Sequence, residues 1–220
     1  MGSEFLVYLR LGFEHIADPR GYDHILFIVA LTAMYLPRAW RQVVALVTAF
    51  TVGHSITLAL ATLGLIRVPT DLIEFLIPLT IFMTALLNGV ELRRDRLNRP
   101  ATAAAAQVEG PAERAEHASE PLGGQGIRYA LALGFGLVHG LGFSNFLRAA
   151  LGGEGSIVRP LFAFNVGLEA GQVLIVAIVL TTTAAATNLL RIPQRVWVIT
   201  LSSAAGAMAL YLLWERLPIG

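Results

Sequence analysis

The sequence predicts an all-α, polytopic membrane protein: a bundle of about six transmembrane helices preceded by a short N-terminal helix that is interfacial or half inserted. The first observation is the composition, because 55% of the 220 residues are hydrophobic and the mean hydropathy is +0.66. The second is the low charge, since 14% of the residues are charged and soluble domains carry about 25%. The third is the recurrence of apolar stretches close to the roughly 20 residues that cross a bilayer.

Six apolar stretches predict the membrane helices. They cover residues 22–36, 42–64, 70–91, 128–150, 159–188 and 194–214. The first is short for a full crossing, and the segment 5–17 before it predicts the half-inserted helix. Pro78 lies inside the third stretch. Because proline has no backbone N–H, it predicts a free backbone carbonyl near Glu74.

The chain is predicted to form a single membrane domain over residues 1–220, divided into two three-helix halves. The halves cover residues 5–92 and 127–216, and a polar linker over 93–126 joins them. The linker begins with Arg93-Arg94-Asp95-Arg96 and continues through an alanine-rich run, a composition typical of low-complexity connections.

Arginines predict the orientation of the bundle. They flank the linker and also occur in the short connections near 38–41 and 191–195. Six alternating spans place these three loops on one side, which the positive-inside rule makes cytoplasmic. Both termini are then outside, and the predicted location is the inner membrane of a bacterium.

Ionisable side chains inside the apolar stretches predict a metal site. Such groups are costly in a membrane, so they usually face a bundle interior and mark a pathway or site. The predicted topology places them together in the outer half of the bundle. The candidate metal ligands are His15, Asp23, His24, His54, His139 and Glu169.

Four further polar residues are candidate secondary partners of this site. Asn165, Glu169 and Gln172 occur at i, i+4 and i+7, which places them on one face of a helix. The secondary partners are Ser55, Glu74, Asn165 and Gln172.

The types of side chain in the candidate site limit which metal ions and which partners are expected. Imidazole with carboxylate suits a divalent transition metal such as nickel, cobalt or zinc, and the sequence does not choose between them. The chain has no cysteine, which excludes thiolate ligands and disulfides. All 16 basic residues are arginines without a basic tail, so a nucleic-acid partner is not expected. The expected partners are the metal ion and the lipid bilayer, and a homo-oligomer is left open.

Several motifs, taken together and in order, resemble the HupE/UreJ family. They are Gly12-Phe13-Glu14-His15-Ile16, Gly21-Tyr22-Asp23-His24, Gly53-His54-Ser55, His139-Gly140-Leu141-Gly142-Phe143 and Asn165-Val166-Gly167-Leu168-Glu169. The resemblance implies a polytopic membrane protein of the kind associated with hydrogenase and urease systems and proposed as nickel or cobalt permeases. The broader nickel/cobalt transporter group has a histidine shortly before the Asp-His pair, and here either His15 or Asp18 fills that role.

The sequence leaves two main functions open. In the first, a nickel or cobalt permease, Asp23 and His24 capture the ion with His15 and pass it to His54, His139 and Glu169. No phosphate-binding loop is present, so the membrane potential, a coupling ion or intracellular trapping would supply the energy.

The alternative is an intramembrane zinc-dependent hydrolase, acting on protein or lipid, that uses the same cluster. Glu169 or Asp23 would then be the general base acting on a zinc-bound water. A noncatalytic metal sensor or chaperone is a third class.

Overall fold

The computed structural model describes residues 2–105, 125–150 and 157–217, and within these ranges the chain forms helices and no strand. The helices are α1 (Gly2–Ala17), α2 (Asp23–Thr32), α3 (Trp40–Thr62), α4 (Thr70–Ala105), α5 (Gln125–Gly142), α6 (Ser144–Ala150), α7 (Val158–Ala184) and α8 (Gln194–Glu215). Short 3₁₀ turns occupy Pro19–Gly21 and Pro37–Ala39, and a π-helical turn, Ala185–Leu189, extends α7.

The prediction of an all-helical membrane bundle is confirmed, whereas the number of six crossing helices is not. Within the described residues, four helices are long and apolar enough to cross a membrane. These spans are Pro37–Thr62, Thr70–Arg94, Val158–Leu189 and Gln194–Glu215. The predicted linker falls largely on residues 106–124, which lie outside the described ranges.

Two of the predicted helices are interrupted. The stretch 22–36 contains only the ten-residue α2, because Pro37 disfavours a helical backbone at the residue before it and Leu36 is extended, with ψ of 158°. The stretch 128–150 is divided at Phe143 between α5 and α6. Glycine is a poor helix former, and Gly142 immediately precedes that break.

Helix α4 continues to Ala105, well beyond the predicted end at residue 91. The residues after the apolar span are mainly arginine, leucine and alanine, which favour helix even where they no longer favour the membrane. The predicted free carbonyl is present: the backbone oxygen of Glu74 accepts a hydrogen bond of 3.4 Å from Arg216.

Contacts between α4 and its neighbours define two ends of the bundle. At the linker end, a salt bridge joins Arg128 of α5 to Glu91 of α4, and the guanidinium lies 5.6 Å from the ring centroid of Tyr35. At the opposite end, which we call the Asp23 end, Arg216 after α8 bonds Asp23 of α2 at 3.1 Å. Helices α5 and α8 are therefore antiparallel to α4, and α2 runs from the Asp23 end towards the linker end.

Glycines bring α3 and α5 into backbone contact. A Cβ built on Gly53 would overlap the carbonyl oxygen of Leu133, and one built on Gly136 would overlap that of Phe50. A Cβ on Gly140 would overlap the carbonyl oxygen of His54. These contacts show that α3 and α5 run in the same direction. Small residues permit this close approach between membrane helices.

A second pair of helices, α1 and α7, approaches in the same way. A Cβ on Gly12 would overlap the carbonyl oxygen of Phe164, and one on Gly167 would overlap that of Leu9. The pair α3 and α5 carries His54 and His139 near its glycines, and the pair α1 and α7 carries His15. The glycines therefore set where those side chains lie.

We predict that Gly136→Ala destabilises the protein, because the new methyl group has no space against the backbone of α3. Overpacking of this kind costs about 1–3 kcal/mol, which lowers the midpoint of thermal unfolding in detergent. Gly134→Ala in the same helix is the matched control: a Cβ there meets no atom within 4 Å, and alanine favours helix by up to about 1 kcal/mol. Equal midpoints for the two variants would contradict the backbone contact.

Candidate metal centre

Two histidines come from the break between α1 and α2. His15 lies two residues before the end of α1, and His24 is the second residue of α2. The short connection between them folds back through Pro19–Gly21, so that the two rings are 4.7 Å apart between centroids.

His54 of α3 completes a three-histidine cluster. Its ring centroid lies 5.9 Å from that of His15 and 6.4 Å from that of His24. One ligand atom from each of the three side chains lies within 4.8 Å of the other two. Nitrogen ligands about 2.1 Å from a tetrahedral metal ion are about 3.4 Å from one another, so modest side-chain movements would bring these atoms to bonding distance.

The ring nitrogens of the cluster are buried without partners. Nε2 of His15, Nε2 of His24 and both ring nitrogens of His54 have no hydrogen-bond partner in the described part of the chain. His54 is 0% exposed. Burying polar atoms unpaired costs free energy, and a cation that takes one lone pair from each ring would offset part of that cost. The donor set therefore fits a metal ion.

His139 of α5 borders the cluster and presents one nitrogen to it. Its ring centroid is 5.4 Å from that of His24. Nδ1 lies 2.8 Å from the carbonyl oxygen of Phe135, and because a carbonyl only accepts, this contact assigns the proton to Nδ1. Nε2 is then the free lone pair, buried and without a partner among the described residues, the arrangement typical of metal-binding histidines.

Asp23 is the carboxylate that directly precedes His24 in the sequence. Its Oδ2 accepts a hydrogen bond of 3.1 Å from Arg216. Its Oδ1 is buried and has no hydrogen-bond partner in the described ranges. The ion pair thus holds one oxygen and leaves the other available beside His24.

Aromatic rings line both sides of the histidines. Phe143 lies 4.0 Å from His15, and Phe164 stacks at 15° to the ring of His54. Phe27 and Phe50, both 1% exposed, lie 4.8 Å apart on the linker side. Water is therefore excluded over most of the cluster, which strengthens the electrostatic interactions inside it.

Glu169 does not join the three-histidine group of ligand atoms. Its Oε1 accepts a hydrogen bond of 2.5 Å from Thr48, and Gln172 accepts one of 2.6 Å from Thr51. Thr48 precedes His54 by six residues, about 9 Å along a helix. Glu169 and Gln172 therefore meet Thr48 and Thr51, which precede His54 on α3, and Glu169 stays outside the group of converging ligand atoms.

The other predicted partners differ in the surroundings of their polar atoms. Ser55 donates to the backbone oxygen of Thr51, and the side chain of Glu74 is exposed. Asn165 is half-buried, with an Oδ1 that has no hydrogen-bond partner in the described ranges. Asp18, the alternative to His15, is exposed and lies outside the group of converging ligand atoms.

Two features of the site were not anticipated from the sequence. Arg216 lies 193 residues from Asp23 in the chain, and no local pattern announces that pairing. The phenylalanines do have a signal: Phe50 and Phe135 each stand four residues before a histidine of the site, which places them one turn away on the same helix face.

Comparison with known proteins gives one match. The protein-family model described as HupE / UreJ protein matches residues 1–110 and 112–216. Neither the curated proteins nor the solved structures contain a match.

We predict that nickel, cobalt or zinc raises the unfolding temperature of the detergent-purified protein. A ligand that binds only the folded state stabilises it by about 2.7 kcal/mol at a concentration 100 times its Kd. His24→Ala and His54→Ala should abolish the shift, because each removes one of the three converging ligands. His117→Ala, which removes the histidine of the polar linker, is the control. A full shift in both cluster variants would exclude this site.

Proposed function

The chain belongs to the HupE/UreJ family, and on that premise we propose that it is a membrane permease for a divalent transition-metal ion, nickel or cobalt. The metal ion is the substrate. The family and the four apolar spans support a multi-pass membrane protein that handles a metal. The choice of nickel or cobalt and the transport itself are the proposal.

The observation that carries the proposal is the convergence of His15, His24 and His54. Three separate helices supply these imidazoles, so the site depends on the folded bundle and changes when the helices move. Imidazole nitrogen suits nickel and cobalt better than calcium or magnesium, which prefer oxygen. The three histidines are neutral donors and Asp23 is the nearby carboxylate, so the site carries little negative charge. A weakly charged site favours exchange, because conduction requires that the ion also leaves.

The position of the cluster favours entry from the Asp23 end. His54 lies eight residues before Thr62, the last residue of α3, which is about 12 Å along the helix. Asp23 is partly exposed and lies between the cluster and that end. With the predicted topology, the Asp23 end faces the outside of a bacterial inner membrane and the linker faces the cytoplasm.

The described residues give no specific support to an intramembrane hydrolase. Such an enzyme needs a carboxylate base beside the metal-bound water. Glu169 is engaged by Thr48 away from the histidines. Asp23 is held by an ion pair with Arg216.

Uptake by the purified protein in liposomes tests the proposal. Wild-type protein should take up nickel or cobalt from the medium when an internal chelator traps the ion. His24→Ala and His54→Ala should lower the initial rate at least about tenfold, equivalent to about 1.4 kcal/mol. His117→Ala should transport at the wild-type rate.

Two outcomes would count against a permease. Uptake that is equal in wild-type protein and in both cluster variants would show that the cluster is not on a transport path. One tightly held zinc ion per chain that survives purification would indicate a resident cofactor, and with it the hydrolase, because a carrier must release its cargo.

A further inference from the structure

A set of oxygen donors lies between α3 and α7, on the linker side of the histidines. Thr48 and Thr51 stand at i and i+3 on α3, and they meet Glu169 and Gln172, which stand at i and i+3 on α7. We call these four side chains the oxygen set. The hydrogen bonds connect helices that are 121 residues apart in sequence, so the set is a tertiary feature.

The oxygen set begins one turn from His54 on α3. Residues three or four positions apart are neighbours on a helix surface, and this relation joins His54 to Thr51 and Thr51 to Thr48, while Thr48 itself is rotated about 120° from His54. Thr51 is about 4.5 Å and Thr48 about 9 Å along the axis from His54. A cation that leaves the histidines towards the linker end therefore meets these oxygens next.

Aromatic rings lie on the direct route from the histidines to the linker end. Phe27 follows His24 by three residues, and Phe50 and Phe135 precede His54 and His139 by four. All three rings thus lie one turn to the linker side of the histidines. Their centroids are 4.8 Å apart for Phe27 and Phe50 and 6.0 Å apart for Phe27 and Phe135. A hydrated or partly hydrated cation has no polar contact there.

The hydrogen bonding of the oxygen set is incomplete. The single hydroxyl proton of Thr51 faces two acceptors, the carbonyl of Val47 at 3.1 Å and the side-chain oxygen of Gln172 at 2.6 Å. It satisfies one of them at a time. Gln172 is 0% exposed, and its Nε2 has no hydrogen-bond partner in the part of the chain that the structure describes. A buried amide whose N–H groups have no partner is costly. A bound cation would be coordinated by the side-chain oxygen of Gln172, and a water on that cation would accept a hydrogen bond from its Nε2.

We propose that the oxygen set is a second cation site, through which the divalent metal passes on its way from the histidines to the linker end. This inference rests on the proposed function. Glu169 supplies the charge, and the hydroxyls of Thr48 and Thr51 and the amide oxygen of Gln172 supply neutral ligands. The ion passes beside the phenylalanines instead of between them.

The chemistry of the set makes it the weaker of the two sites. Nickel and cobalt bind imidazole well, whereas here they meet oxygens alone and a single carboxylate. A second, weaker site beside the histidines lets the ion leave them in a short step towards the linker end, because conduction is served by several adjacent sites that each bind weakly enough to release the ion.

The test measures binding and transport separately in Glu169→Gln and Thr48→Val. Cobalt is the probe, because its visible absorption reports nitrogen or oxygen ligation. In wild-type protein we expect one equivalent of cobalt per chain to bind tightly and to depend on His54. We expect a second equivalent of cobalt to bind more weakly and to show the weak absorption of oxygen ligation. Both variants should keep the tight equivalent with unchanged affinity, lose the weak one, and import cobalt into liposomes at least about tenfold more slowly.

Matched controls are Glu4→Gln and Thr181→Val. The carboxylate of Glu4 is exposed on α1, and the hydroxyl of Thr181 is exposed on α7 and donates to its own helix at Ala177. Neither control should change binding or uptake. Retention of the tight equivalent in the Glu169 and Thr48 variants also shows that these proteins are folded.

Three outcomes would overturn the inference. Loss of the tight equivalent in Glu169→Gln would place Glu169 in the histidine site. Undiminished uptake by both variants would remove the oxygen set from the path. A single cobalt equivalent in wild-type protein at high cobalt would show that the second site does not exist. Failure of the permease proposal looks different, since the wild-type protein would then import no metal or His54→Ala would import it normally.

Discussion

The arrangement of this protein depends on backbone contact at glycines. The helices α3 and α5 touch at Gly53, Gly136 and Gly140, and α1 touches α7 at Gly12 and Gly167. In a membrane there is little hydrophobic gain from bringing helices together, so close van der Waals packing has to hold them. Gly140 of α5 lies against the backbone of His54, so the contact of α3 with α5 sets the depth of His54, and the contact of α1 with α7 at Gly12 holds the helix that carries His15. A larger residue at these glycines would push the helices apart and open the cluster.

Along the axis of the bundle, the buried histidines are followed by layers of different chemical character. Unpaired ring nitrogens occupy the Asp23 half of the bundle, phenylalanine rings fill the space one turn deeper, and oxygen donors lie beside those rings at the contact of α3 with α7. At the linker end a salt bridge joins Arg128 to Glu91. Removing one partner of such a buried pair is costly, so the pair holds α4 and α5 together there.

Much of the fold could be predicted from the sequence, since apolar length and low charge report directly on membrane helices. The stretches 42–64 and 194–214 correspond to α3 and α8 within two residues at each end. The prediction of one helix over residues 128–150 was wrong, because hydropathy does not register the effect of Gly142 on the backbone. The carbonyl freed by Pro78 was predicted, but its partner Arg216 was not, because the pairing joins distant parts of the chain.

The sequence by itself determined that this is a membrane bundle. It also determined which polar residues are costly to bury, because the free energy of burying an imidazole depends on the apolar composition around it. These residues are His15, His24, His54 and His139. Only the tertiary structure decided which of these residues meet. Glu169 has the same spacing and burial signal as a ligand, yet it faces Thr48, and Asp23 is held by Arg216. Helix periodicity fixes the face on which a side chain lies, whereas the glycine contacts and the crossing of α3 with α7 fix the depth at which that face meets its neighbour.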